Sequence, residues 1–307
     1  MTEVTLLDGG MGQELVRRAG GVATPLWATQ ALLDDPSVVA AVHQDFAAAG
    51  ASMATTNTYA VHRDRLKGGT SNHYAADGVE LPDLEDQMPA LYEAAIGAAQ
   101  TVKSAGRIAG AIGPLGASYR ADLLPPHDEA VERFAEVAQL LAPHVDVILY
   151  ETVPSLDAAK AALEAGRKTD RPIWLAFTAD DTNGHLLRSG EPVAEAAKIA
   201  ADADAALINC SIPEVVADGL DALSTCGKPF GAYANGFTRI TEAFISGGST
   251  TDASLTARTD LTPEIYADYA MGWVDQGATI VGGCCEVSPA HIAEIAQRLR
   301  AAGHTIV

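Results

Sequence analysis

The feature that most narrows the fold is a rhythm. Eight short runs of apolar and small residues recur along 307 residues: VTLLDGG, ASMATTNTY, RIAGAIGP, DVILYET, PIWLAFTA, AALINCS, PFGAYANG and TIVGGCC. Runs that are apolar almost throughout suit strands buried on both faces, the situation in a parallel sheet. Between them lie Ala-rich stretches with apolar residues at helical spacing, among them PSVVAAVHQDFAAAG, EAVERFAEVAQLLAPH, SLDAAKAALEAGRK, PVAEAAKIAADA and PAHIAEIAQRLRAAG. Pro154, Pro192, Pro213 and Pro289 stand at or near the first turn of such helices, where a missing backbone N–H does no harm.

Strand followed by helix, eight times over, predicts an α/β fold: a single (β/α)8 TIM barrel occupying 1–307 as one domain. A doubly wound open sheet shares the alternation, but the count of eight favours closure. No GxGxxG or GxxxxGK[ST] follows the first strand, so the turn Gly9-Gly10-Met11-Gly12 lacks a nucleotide-binding fingerprint. Two segments, roughly 62–88 and 237–262, break the rhythm and are rich in Gly, Ser, Thr and Asp; they read as loops over the barrel mouth.

Composition sets outer bounds. Hydrophobic residues at 48% against 20% charged supply a large core and exclude disorder. A formal charge of −20 repels phosphate backbones, so no nucleic acid partner is expected, although an acidic surface serves solubility or salt tolerance equally well. With no apolar run of about 18 residues and no signal-like leader, no membrane association is expected and the location is expected to be cytoplasmic. Association into a homo-oligomer stays open, because barrel helices hide interface faces among ordinary amphipathic ones.

In a barrel of this kind the chemistry gathers where strands end. Strand one ends in Asp8, two in Thr56, Asn57 and Tyr59, four in Glu151, six in Asn209 and Cys210, and eight in Cys284 and Cys285. Strands six and eight are next-but-one neighbours around a barrel, which would bring Cys210 to the adjacent pair across about seventy residues. Three thiolates are soft ligands that select Zn²⁺ and leave a fourth position for a substrate. Gly282 and Gly283 would let two successive side chains serve one site. Packing, or a reversible vicinal disulfide in a redox- or metal-sensing protein, are the competing readings of the pair, and Cys226 reads as a packing residue. Zinc would turn a bound substrate thiol into a thiolate, and three anionic ligands would keep that sulfur electron-rich enough to attack carbon.

LLDGGMGQEL, AAAGASMATTNTY, GAIGPLGA, YETVPSLDAA, LINCS and IVGGCCEVSPAHI, in this order, resemble the homocysteine S-methyltransferase family, from Leu6 to about Ile292. That family includes betaine- and S-methylmethionine-homocysteine methyltransferases and the homocysteine module of cobalamin-dependent methionine synthase. The resemblance implies that Cys210, Cys284 and Cys285 hold catalytic zinc. It implies that Asp8 and Glu151 hold the amino group of homocysteine, a task suited to buried carboxylates. It further implies that Thr56 and Asn57 line the same pocket, and that Trp27 and Tyr59 meet a small onium methyl donor through their ring faces. Asn209, on the same rim, counts with the substrate-binding residues. A selenol or another small thiol is the alternative acceptor. The stretch Tyr233-Ala234-Asn235 departs from the family in lacking a proline between tyrosine and asparagine, and the Ser/Thr-rich loop after it leaves the donor unspecified.

Overall fold

The computed structural model describes residues 2–69, 80–247 and 254–307. All eight apolar runs form strands: β1 (Glu3–Leu6), β2 (Met53–Thr55), β3 (Arg107–Ile112), β4 (Val147–Val153), β5 (Ile173–Phe177), β8 (Ala205–Asn209), β9 (Phe230–Tyr233) and β10 (Ile280–Val281). They pair in parallel in the order β1-β10-β9-β8-β5-β4-β3-β2. The ring closes between β1 and β2: Leu7 bridges Met53 in parallel, Ser52 N donates to Leu6 O at 2.7 Å and Asp8 N donates to Met53 O at 3.1 Å. The alternation therefore resolves as a barrel and not as an open sheet.

Three short strands have no counterpart in the sequence reading. β11 (Thr305–Ile306) adds beside the start of β1, and β6 (Ala179–Asp180) with β7 (Asn183–Leu187) makes an antiparallel hairpin above β5. β6 and β11, at two residues each, carry too little pattern to be seen by periodicity. What shapes the hairpin is a side chain: Asp180 Oδ1 accepts from the backbone N–H of Thr182 and Asn183.

The period of two along each strand sorts residues to two faces. Leu7, Met53, Ala109, Val147, Leu149, Trp174, Ala176, Ala205, Leu207, Tyr233 and Ile280 fill the barrel interior. Their neighbours, such as Ile108, Ile148, Tyr150, Leu175, Phe177 and Ile208, face outward into the layer of helices. Val147 and Leu149 inward put Glu151 in the inward register one step higher, at the mouth.

The expected helices form at Pro36–Ala49, His127–Leu141, Leu156–Gly166, Val193–Ala200 and Pro289–Ala301; Met88–Gln100, Pro213–Leu223 and Pro263–Asp275 complete the outer ring among the described residues. Starts are set by side chains: Asp35, Ser155 and Thr262 accept from backbone N–H groups of the first turn, and Pro36, Pro213, Pro263 and Pro289 occupy it. The helix His127–Leu141 shows what packing adds. It buries Val131, Phe134, Val137 and Leu141 on one face, each contributing about 1.5–3 kcal/mol, and Leu141→Ala would cost about 2–5 kcal/mol.

Of the two rhythm-breaking segments, the first carries a short helix at Arg63–Leu66 and a bridge between Gly69 and Leu81, and the second a helix at Glu242–Ile245 and a bridge between Phe237 and Ala257. Residues 70–79 and 248–253 of those segments lie outside the described residues. Among the described residues no helix is long and apolar enough to cross a membrane.

Candidate active site and metal centre

A cavity of about 140 Å³ opens at the C-terminal ends of the strands. Allowing 10–15 Å³ per water-sized group, it has room for on the order of ten such groups, the scale of an amino acid. Both rhythm-breaking segments reach its wall, through Arg65 and Leu66 on one side and Phe237, Phe244 and Leu255 on the other.

At its floor the sulfurs of Cys210, Cys284 and Cys285 lie within 4.8 Å of one another, with Cys210 Sγ 4.0 Å from Cys285 Sγ. Tetrahedral zinc with bonds of about 2.3 Å spaces its sulfurs by about 3.8 Å, so the trio fits a cation after contracting by roughly an ångström or less. The three thiols are free and form a cluster able to hold a metal ion. They share protons unequally: hydrogen bonds from Cys284 and Cys285 hold Cys210 well below the usual thiol range, and the same contacts with Cys210 push the other two up.

Backbone geometry brings the trio together. Cys210 leaves β8 at φ +49°, an uncommon region for a residue with a Cβ, while its N–H donates to Tyr233 O at 3.1 Å. β10 ends at Val281, so Cys284 and Cys285 sit on a loop free of strand alternation, and Cys284 N donates to Ala234 O at 2.9 Å. Gly283 is required there: a Cβ would stand 2.1 Å from Val287 Cγ1. The described non-glycine residues with positive φ are Trp27, Tyr119, Thr152, Cys210 and Glu286; four line the cavity and the fifth follows Cys285. Each such residue costs on the order of 1–3 kcal/mol, strain that the surrounding barrel must hold.

Asp8 and Glu151 both line the cavity and are buried. Asp8 accepts from Thr55 N and Thr55 Oγ1, each at 2.8 Å, and Glu151 Oε2 accepts from Tyr233 Oη at 3.0 Å. Burial outweighs these bonds, pushing Asp8 up to about 7 and Glu151 up to about 8. Two carboxyls poised in this way attract an ammonium group, whose charge favours their ionised forms.

Trp27 Nε1 donates to Gln13 Oε1 at 2.9 Å, and Gln13 Nε2 donates to Glu286 Oε1 at 2.6 Å, tying the rim after β1 to the cysteine loop. Gly12 leaves space for that indole, since a Cβ there would lie 2.1 Å from Trp27 Cζ2. Trp27 and Tyr59 meet edge to face with ring centroids 6.0 Å apart. Tyr59 Oη lies 2.7 Å from Ser118 Oγ, and the Arg65 guanidinium stands 5.2 Å over the ring.

Thr56 lines the cavity, with its hydroxyl turned into the wall: Oγ1 lies 2.6 Å from Thr58 Oγ1 and accepts from Ala111 N at 3.0 Å. Asn57 lines it too and fastens the helix Ala28–Asp34 to the rim through Nδ2 donating to Ala28 O at 3.0 Å. Asn209 stands apart. It lies outside the cavity lining, and its amide spans Thr152, accepting from Thr152 N at 2.8 Å and donating to Thr152 Oγ1 at 3.1 Å, which holds the strained residue next to Glu151. Cys226 is buried, as expected of a packing residue.

Sequence reasoning missed Thr55, Tyr119 and Tyr233. Thr55 and Tyr233 end strands, and a search of strand ends for hydroxyls would have found them. Tyr119 lies on the loop after β3, where no period directs it, and only the fold brings its hydroxyl to Cys210 Sγ at 3.1 Å.

A sequence profile of the homocysteine S-methyltransferase family matches residues 5–299. The homocysteine S-methyltransferase YbgG of Bacillus subtilis is 29% identical over 95% of this chain and 93% of its own. A selenocysteine methyltransferase of Astragalus bisulcatus is 28% identical over 92% and 89%. The crystal structure of the homocysteine methyltransferase MmuM from Escherichia coli, in a metallated form, superposes with a TM-score of 0.75 over 97% of this chain and 96% of its own, at 24% identity, and so shares the barrel. With a match that runs from the first strand to the last helix, the chain belongs to the homocysteine S-methyltransferase family.

Proposed function

We propose that the protein, acting as one barrel domain, transfers a methyl group from a small onium donor to the thiol of homocysteine, with zinc at Cys210, Cys284 and Cys285. The observation that carries the reading is three sulfurs within 4.8 Å on the floor of an amino-acid-sized cavity walled by two buried carboxyls. When bound, zinc would supply Lewis acidity that strips the proton from a thiol near neutral pH.

The remaining work falls to the chain. Asp8 and Glu151 take the substrate ammonium in charge-assisted hydrogen bonds, with Thr55 and Tyr233 holding each carboxyl in place. The N-terminus of the helix Met11–Arg18 opens on the same cavity, and the positive end of its dipole suits the substrate carboxylate. Trp27 and Tyr59 border the donor's approach, while Phe237, Phe244 and Leu255 exclude water from the sulfurs. Sulfur then forms a bond to the methyl carbon as the onium–methyl bond breaks. Its electron pair leaves with the donor, and the products are methionine, the demethylated donor and the thiol's proton, released to solvent.

The test is zinc-loaded protein with homocysteine and, in turn, S-methylmethionine, betaine, dimethylsulfoniopropionate and S-adenosylmethionine. Methionine formed with at least one donor is expected. Absence of stoichiometric zinc together with no methionine from any donor would end the proposal. The relative named for selenocysteine supports a second acceptor class, so competition between selenocysteine and homocysteine belongs in the same assay.

A further inference from the structure

We infer that Tyr119, backed by Arg188, is a positioning residue that withdraws negative charge from Cys210 and thereby sets both the grip of the trithiolate site on its metal and the electron density of its sulfurs. The inference rests on the metal reading of the three cysteines. Tyr119 Oη lies 3.1 Å from Cys210 Sγ. A thiolate that ligates a metal has no proton, so the phenol must donate.

Arg188 stands over the Tyr119 ring. Its guanidinium is 5.3 Å from the ring centroid, and Nη2 pairs with Asp181 Oδ1 at 2.6 Å, both side chains being only 7% exposed. A buried cation over the π face draws electron density from the phenol and makes it a stronger donor. Asp181 in turn accepts from Ile212 N and Ile240 N, fixing the loops after Cys210 and after β9 against the hairpin that carries Arg188. The need for such a device is electrostatic: three thiolates on a divalent cation leave a net negative site in a buried setting, and an outer hydrogen bond offsets part of that charge.

Tyr119→Phe removes one oxygen and leaves the ring, so it isolates the hydrogen bond. Chelator competition should show zinc binding weakened by about 10–100-fold. In cobalt-loaded protein, the sulfur-to-cobalt charge-transfer band should shift relative to wild type, a change that looser packing alone would not produce. Arg188→Gln should move both readouts in the same direction by less, and the double variant should fall short of the product of the two, because the residues act in series. Wild type that takes up no stoichiometric zinc would refute the underlying metal reading. Wild type that binds zinc while folded Tyr119→Phe matches it in affinity and in the cobalt band would overturn this inference alone. Should Tyr119→Phe not fold, Arg188→Gln decides by the same two measurements.

Discussion

Glu151→Gln is the most informative single change, because glutamine imitates the protonated carboxyl that burial favours. Glu151 is buried at the cavity wall, with one oxygen bonded to Tyr233 and the other available. A hydrogen bond from an ammonium to an ionised buried carboxylate is worth about 3 kcal/mol, or on the order of 150-fold in affinity. With Glu151 pushed up to about 8, wild type must first release a proton below that pH, at about 1.4 kcal/mol per pH unit. The wild-type advantage should therefore be full above about pH 8, shrink roughly tenfold at pH 7, and nearly vanish at pH 6. Isothermal titration of homocysteine into both zinc-loaded proteins gives the ratio of dissociation constants, in which the substrate thiol's own ionisation cancels. A ratio that stays constant from pH 6 to 8.5, or falls below about fivefold at pH 8.5, would refute the account of Glu151 as the ammonium's partner.

Three further outcomes are expected. Zinc should mask three of the four thiols toward a thiol reagent, chelation should expose them, and Cys210→Ser should lower zinc retention against a weak chelator by at least tenfold, read by metal analysis after dialysis. Asp181→Ala should destabilise the fold by about 3–5 kcal/mol, since it leaves Arg188 buried without its partner; urea unfolding would show this, and a loss under about 1 kcal/mol would count against it. Asp8 and Glu151 have folded-state pKa values raised above the ordinary 3.8 and 4.5, so folded protein binds more protons than unfolded across the window from about 4 to about 8. Their contribution to stability is present at low pH and lost as pH rises through about 7 and 8, so thermal melts of metal-free Asp8→Asn/Glu151→Gln protein should lose less stability between pH 6 and 8.5 than wild type.

The chain's local pattern was enough to give the eight strands and five of the helices, because apolar runs and helical spacing are written within a dozen residues. The rim residues Asp8, Thr56, Asn57, Tyr59, Glu151, Cys210, Cys284 and Cys285 were legible as well, since a barrel's mouth is wherever its strands end, and Trp27 came from the family resemblance; the structure brings all nine into one cavity wall. Asn209 shows the limit of that rule: being last on a strand says which end of the barrel a residue occupies, not whether its amide faces the cavity or grips Thr152. Which residues close the ring (Leu7 and Met53), the positive φ at Cys210 that turns its sulfur toward the adjacent pair, and the meeting of Tyr119 with Cys210 across 91 positions were decided only by tertiary structure. Each depends on contacts between segments remote in sequence, and a pattern confined to neighbours along the chain carries no record of them.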